Sequence, residues 1–209
     1  MGMTAAIATC GPLLEVALRA APGDISSTVR LAGVSRRSSL LLAALDLLTE
    51  DAGAEPGSID RILVSRGPGS FTGIRSGLAT AFGLVEATGA VCLAFNSLAM
   101  QAARCAGTGA VWAAQPGRRG EVYARGYRVA PGSPPVALGE IEILVVEDLV
   151  ERSPWVASDG LDLGGASRAE PPRGAAEALF QLADFGVESE PLEPLYVEGP
   201  PIHGGGDGG

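Results

Sequence analysis

One stretch constrains this chain more than any other: "RILVSRGPGSFTGIRSGLATAFGLVEATG", from Arg61 to Gly89. An apolar run ends at Ser65, glycines follow at positions 67, 69 and 73, and apolar residues then recur every three or four positions. That pattern predicts a strand, a glycine-rich turn and a helix, the local plan of many phosphate-binding loops. Neither named phosphate loop fits. The P-loop spacing fails and its lysine is missing, and Gly73 falls one residue late for the dinucleotide fingerprint G-x-G-x-x-G. An anion held by the backbone at Gly69, Ser70, Phe71, Thr72 and Gly73 is one reading of the turn. A structural turn that docks helix on sheet is the preferred one.

The helix carries more information than the loop. At about 100° per residue, Gly73, Ile74, Gly77, Leu78, Ala81, Leu84 and Val85 share an arc that can cover a sheet. The other side holds Ser76, Ala79, Thr80, Gly83 and Ala87, small residues where a solvated helix would carry long charged ones. Such a surface lets a second helix approach. The preceding helix, in "RRSSLLLAALDLLTEDAG", spreads Leu40, Leu41, Ala44, Leu45, Leu47 and Leu48 over about 200°, with Leu42 beyond, twice the width that one buried face needs. Either both sides are buried within the chain or one side meets another chain. Leu41, Leu45 and Leu48 of the first helix, with Arg75, Ser76, Ala79, Thr80 and Gly83 of the second, are the expected partner contacts.

Composition removes much of the usual catalytic inventory. All fifteen basic residues are arginine, so lysine chemistry is absent. The one histidine, His203, lies in the terminal "HGGGDGG". Cys10, Cys92 and Cys105 have no metal-ligand spacing and read as small buried thiols. No catalytic residue and no metal site is expected. A net charge of -9 argues against a direct grip on nucleic acid. No secretory signal or membrane span is evident, and a cytoplasmic protein is expected.

Along the chain, three short strands precede the first helix, then strand "IDRILVS", the glycine-loop helix, strand "AVCLAF" and helix "SLAMQAARCAG". This βββαβα order, followed by a further βα, predicts an α/β fold, a mixed sheet with helices on its faces. It is the order of the ribonuclease-H-like half-domain found in the actin, Hsp70 and sugar-kinase superfamily, a fold-level analogy that says nothing of activity. A smaller, degenerate second half follows: strand "AVWAA", turn "QPGRRG", strand "EVYARGYRV", strand "GEIEILVV", and a last helix in "GAAEALFQLADFG". The expected division is 1–96, 97–198 and a disordered tail over 199–209. Trp112 and Trp155 read as core.

"SRGPGSFTGIRSGLATAFGL", "GRRGEVYARGY" and the late "EPLYV" together resemble the TsaB (YeaZ) family, the non-catalytic partners in making threonylcarbamoyladenosine on tRNA. The motif residues are Gly67, Pro68, Gly69, Ser70, Phe71, Thr72 and Gly73, with Arg118, Glu121 and Tyr123. The resemblance implies an actin-like fold of two related halves whose ATP site has degenerated. It implies pairing with a TsaD-like catalytic subunit through helices of the first half, and a TsaE-like ATPase in the assembly. tRNA would be met only indirectly, and the chain alone would bind no cofactor; ATP and magnesium would serve the partner proteins. A homodimer through the same helices, when the catalytic subunit is absent, is compatible with this.

Three positions depart from the family pattern. The "D-T-S"-like turn reads Ala8-Thr9-Cys10, the acid of "D-A-R-x-G-E-V-Y" is Pro116, and the early helix histidine is replaced around Arg37–Ser38. Loss of the first acid removes a usual magnesium anchor of the superfamily. A stand-alone actin-fold phosphotransferase, or a peptidase of the M22 type, is the competing expectation. The missing histidines and lysines count against it. Arg75 reads either as a partner of an acid across a subunit interface or as surface. Arg118 and Arg119, adjacent at a hairpin turn, read as solvated rather than phosphate-binding. Glu121 and Tyr123 share a strand face and read as packing and hydrogen-bonding residues.

Overall fold

The computed structural model describes residues 2–21, 24, 27–32, 38–118, 120–153, 155–159, 161–163 and 173–198. Arg37, Arg119, His203 and the terminal tail lie outside them, as do the expectations attached to those positions.

The first three strands are β1 (Met3–Ala8), β2 (Leu14–Arg19) and β3 (Ser27–Leu31), an antiparallel meander. Helix α1 (Ser38–Asp51) follows, then β4 (Ile59–Ser65), α2 (Phe71–Thr88) and β5 (Val91–Phe95). β4 lies parallel to β1 and β5 parallel to β4, giving the order β3-β2-β1-β4-β5. α1 and α2 cover one face of this sheet, packing Leu41, Ala44, Leu45, Leu48, Ile74 and Leu78 over β1, β2 and β4.

The second half repeats the plan in reduced form. β6 (Gly109–Pro116) and β7 (Glu121–Val129) form a hairpin. β8 (Val136–Ala137) and β9 (Glu142–Val145) pair with the two ends of β7 and together fill the place that β3 has beside β2. A short helix, α4 (Val146–Arg152), then leads to β10 (Val156–Ala157), which runs parallel to β6 as β4 does to β1. With seven and two residues, α4 and β10 are too short to leave a periodic signal, and the sequence reading missed both.

Helix α3 (Ser97–Ala103) sits between the sheets. Met100 and Ala103 pack against the first, while Leu98 and Ala102 face Val111, Ala113, Tyr127 and Val129 of the second. Burial on all sides explains why every residue of the helix except Gln101 is apolar or small. Its polar residues are paired: Arg104, just past its end, forms an ion pair with Asp159, and Gln101 Nε2 donates to the same carboxylate at 3.4 Å.

The last helix, α5 (Ala175–Asp184), departs from the expected division. Sequence order places it with the second half, but it packs on the first sheet, on the face opposite α1 and α2, against Ala6, Ala17, Leu63 and Phe95. β2 pins it at both ends. The buried Glu15 carboxylate accepts from Ala176 N at 3.1 Å, where the helix N-terminus favours a negative charge. Four residues along the strand, Arg19 forks onto Asp184 at 2.5 and 2.8 Å and lies over the Phe180 ring.

Candidate functional site: a cleft where the sequence motifs converge

The glycine loop is shaped by what it touches. The Gly67–Pro68 bond is cis, and Gly67 and Gly69 adopt φ of 112° and 144°, which disfavour any side chain. A Cβ at Gly73 would stand 2.0 Å from Thr9 O, one at Gly69 2.2 Å from Cys10 O, and one at Gly77 2.4 Å from Thr9 Oγ1. The loop and the first turns of α2 therefore lie directly against the turn between β1 and β2. Hydrogen bonds hold them there: Ser70 N donates to Cys10 O at 2.8 Å, and Thr9 Oγ1 to Gly73 O at 2.8 Å. Ser70 Oγ caps the helix by accepting from Gly73 N at 3.2 Å. Two amides of the candidate anion loop thus have partners within the chain.

The Ala8-Thr9-Cys10 turn, where the family pattern has an acid, is bound into the same structure. Thr9 N and the Cys10 thiol both donate to Ser65 Oγ, at 3.2 and 3.1 Å. Burial pushes the Cys10 thiol up to about 12, so it stays protonated and unreactive. Ala8, Thr9 and Cys10 bring no carboxylate to a divalent cation here. Among the described residues no group of three His, Cys, Asp or Glu side chains gathers as a metal site.

Between the halves lies a cleft of about 360 Å³. It is lined by residues 68–71 of the glycine loop, residues 116–118 and Tyr123 of the β6–β7 hairpin, and residues 195–198 of the C-terminal segment. The three stretches that carried the family resemblance, far apart in sequence, meet around this one space. Tyr123 donates its hydroxyl to Glu198 at 3.2 Å, and Arg118 Nε stands 3.6 Å from the same carboxylate. Burial, followed by the hydrogen bond to Glu198 and then that carboxylate's charge, holds the Tyr123 phenol above its ordinary range. Arg118 is thus paired with an acid as well as facing solvent. Glu121, one strand position pair away on β7, is half-buried.

At the rim, Tyr196 stacks on Phe71 with centroids 5.4 Å apart, and Arg75 lies 4.1 Å over the Phe71 ring. Arg75 Nε also donates to Tyr196 Oη at 3.2 Å, so its guanidinium has partners in its own chain. The sequence reading did not single out Tyr196, Glu198 or Gln115. Gln115 is fully buried at the end of β6, its amide atoms without a partner among the described residues, and a Cβ at Gly11 would lie 3.3 Å from its Oε1. It marks where the turn after β1 faces the end of β6, and nothing local in "AAQPGRRG" signals that meeting.

The expected partner contacts divide. Leu41, Leu45 and Leu48 are 0%, 3% and 3% exposed and belong to the chain's own core; as partner contacts they are corrected by the structure. With α1 bearing leucines nearly all round, only the position of the sheet decides which stripe is buried. The outward arc is instead bordered by Leu42 and Leu47, 55% and 56% exposed, with Ala43, Asp46 and Glu50 between them. On α2, Arg75, Ala79 and Gly83 are exposed beside Phe82, while Ser76 and Thr80 are half-buried. α1 and α2 touch, so the two outward surfaces belong to one layer. Trp155, expected in the core, is 51% exposed just before β10.

A ribonuclease-H-like first half and a smaller, reduced second half, around a shared helix and a cleft, define an actin-like α/β protein. A family model described as "TsaD: tRNA N6-adenosine threonylcarbamoyltransferase" matches residues 33–151, more than half of the chain. The chain belongs to that family. YeaZ from Pseudomonas aeruginosa is similar in structure with a TM-score of 0.73 and 26% identity, covering 94% of this chain and 100% of that one. A second structure, described as an uncharacterized protein with similarity to peptidase YeaZ from Pseudomonas aeruginosa, gives 0.71 and 25%, covering 95% and 100%. The YeaZ resemblance read from the sequence motifs is borne out.

Proposed function

We propose that this chain is a non-catalytic subunit that docks on a TsaD-like catalytic subunit and supports threonylcarbamoyl transfer to N6 of adenosine-37 in tRNA. The observation that carries the reading is the outward surface of α1 and α2. Leu42, Leu47 and Phe82 stand exposed around the small residues Ala43, Ala79 and Gly83, in a chain of this family. Large apolar side chains gathered on adjacent helices favour a protein partner over solvent. The role is conformational: binding energy between subunits stabilises the competent state of the partner.

ATP and magnesium act on the partner proteins, among them a TsaE-like ATPase, and tRNA is met through the assembly. The chain's net charge of -9 supports that indirect role. A homodimer through the same surface forms when the partner is absent. A cytoplasmic location fits this work; no helix among the described residues is long and apolar enough to cross a membrane.

Co-purification with a TsaD homologue tests the reading, using the wild type, Leu47→Glu and Ala79→Arg. Both substitutions fall on exposed positions, so the chain stays folded while the complex is lost. An intact complex with both variants refutes the docking surface. Rapid hydrolysis of ATP with magnesium by the isolated chain refutes the non-catalytic role and favours a phosphotransferase; cleavage of a peptide substrate would favour a peptidase.

A further inference from the structure

We propose that residues 189–198 are a clasp that fastens the two halves of the chain to each other across the cleft. Between α5 and residue 198 the described chain has no helix or extended strand of its own, so side-chain and isolated backbone contacts set its path. Those contacts come in a fixed order. Ala94 N donates to Ser189 Oγ at 3.0 Å and Glu190 N to Ala94 O at 2.9 Å, adding one bridge to the edge of β5. Arg66 then grips the segment, pairing with Glu190 at 2.8 Å and donating through Nε to Glu193 O at 2.7 Å. Leu195 N donates back to Arg66 O at 2.8 Å. Tyr196 follows, stacked on Phe71 and bonded to Arg75. Every one of these partners belongs to the first half.

Two residues later the segment changes sides. Glu198 accepts from Tyr123 and pairs with Arg118, both on the β6–β7 hairpin of the second half. One short length of chain therefore starts on one half and ends on the other, and its last four described residues line the cleft it closes. Among the described residues the halves also meet through α3, by its apolar contacts and the Arg104–Asp159 ion pair, and where the Gly11 turn approaches Gln115. A tie at the cleft limits how far they can swing about that helix. Arg66, Arg75, Arg118, Tyr123 and Tyr196 act together in this, although the family motifs treat them as separate stretches.

Hydrogen exchange on the isolated full-length chain tests the clasp, and needs no partner protein, so its outcome is separate from that of the docking reading. Arg66→Ala and Tyr196→Ala each release the first-half end. The prediction is that exchange over residues 117–123 rises about threefold or more, because unfastening one end frees the other. Glu198→Gln should raise exchange in the same hairpin while the segment stays protected at 189–195. Unchanged exchange in α1 shows that the fold is intact, and the half-exposed Tyr196 makes its variant the safer one for folding. If Arg66→Ala and Tyr196→Ala raise exchange only within 189–198, the segment is a local appendage and the proposal fails. An unaltered hairpin in Glu198→Gln overturns it equally.

Discussion

Replacing Gly73 by alanine tests how α2 is docked. The added Cβ would lie 2.0 Å from Thr9 O and 3.0 Å from Thr9 C, both backbone atoms that cannot rotate away. A carbon meets a carbonyl oxygen at about 3.3 Å or more, so the helix must retreat by roughly 1.3 Å. That movement strains or breaks the Thr9–Gly73 and Ser70–Cys10 hydrogen bonds, each contributing about 1 kcal/mol. Overpacking adds about 1–3 kcal/mol, and the better helix propensity of alanine offsets at most about 1 kcal/mol. The net loss is about 2–4 kcal/mol, which for a chain of this size lowers the melting temperature by about 5–15 °C. Gly83, ten residues on, is the matched control, because a Cβ there meets nothing within 4 Å. Gly83→Ala should raise the melting temperature by about 1–4 °C through helix propensity alone. Circular dichroism melts of both variants decide the matter. A Gly73→Ala protein as stable as wild type would refute the close approach of α2 to the first turn, and a destabilised Gly83→Ala monomer would refute the open outer face.

Other perturbations follow from the same structure. Leu48→Ala removes a core side chain and should lower stability by about 2–5 kcal/mol in urea unfolding, whereas Leu47→Ala should change it by about 0.5 kcal/mol or less. Asp159→Ala leaves the buried Arg104 guanidinium without its carboxylate and should destabilise by about 3–5 kcal/mol, measured the same way. The Cys10 thiol ionises near its ordinary value of 9.0 when unfolded but only at about 12 when folded. Above pH 9 the unfolded chain therefore holds fewer protons, and stability should fall from pH 9 towards 12, by up to about 1.4 kcal/mol per pH unit from this group. Cys10→Ala should flatten that fall, and folded wild-type protein should resist alkylation at Cys10 at pH 8.

Most of the first half was legible from local pattern. Short apolar runs bounded by turn residues marked β1, β2 and β4, and a period near 3.6 marked α1 and α2, because these signals lie within a dozen residues. The arc assigned to the sheet on α2 is the one buried, since Ile74, Gly77, Leu78 and Ala81 differ in character from the residues opposite. α1 was different. Leucines on every side left its buried stripe undetermined, and Leu41, Leu45 and Leu48 entered the core where a partner had been expected.

By itself, then, the sequence determined the strand–loop–helix at Arg61–Gly89, the two-faced α2 and the βββαβα order, all consequences of contacts between near neighbours. Only the tertiary structure decided that α5 returns to the first sheet, which rests on contacts between residues 161 and 165 positions apart. It alone brought Tyr123 and Glu198, 75 positions apart, together at the cleft. The physical reason is common to these cases. Periodicity records which side of an element is apolar, but which surface comes to lie against it depends on packing between distant segments, and no local pattern encodes that choice.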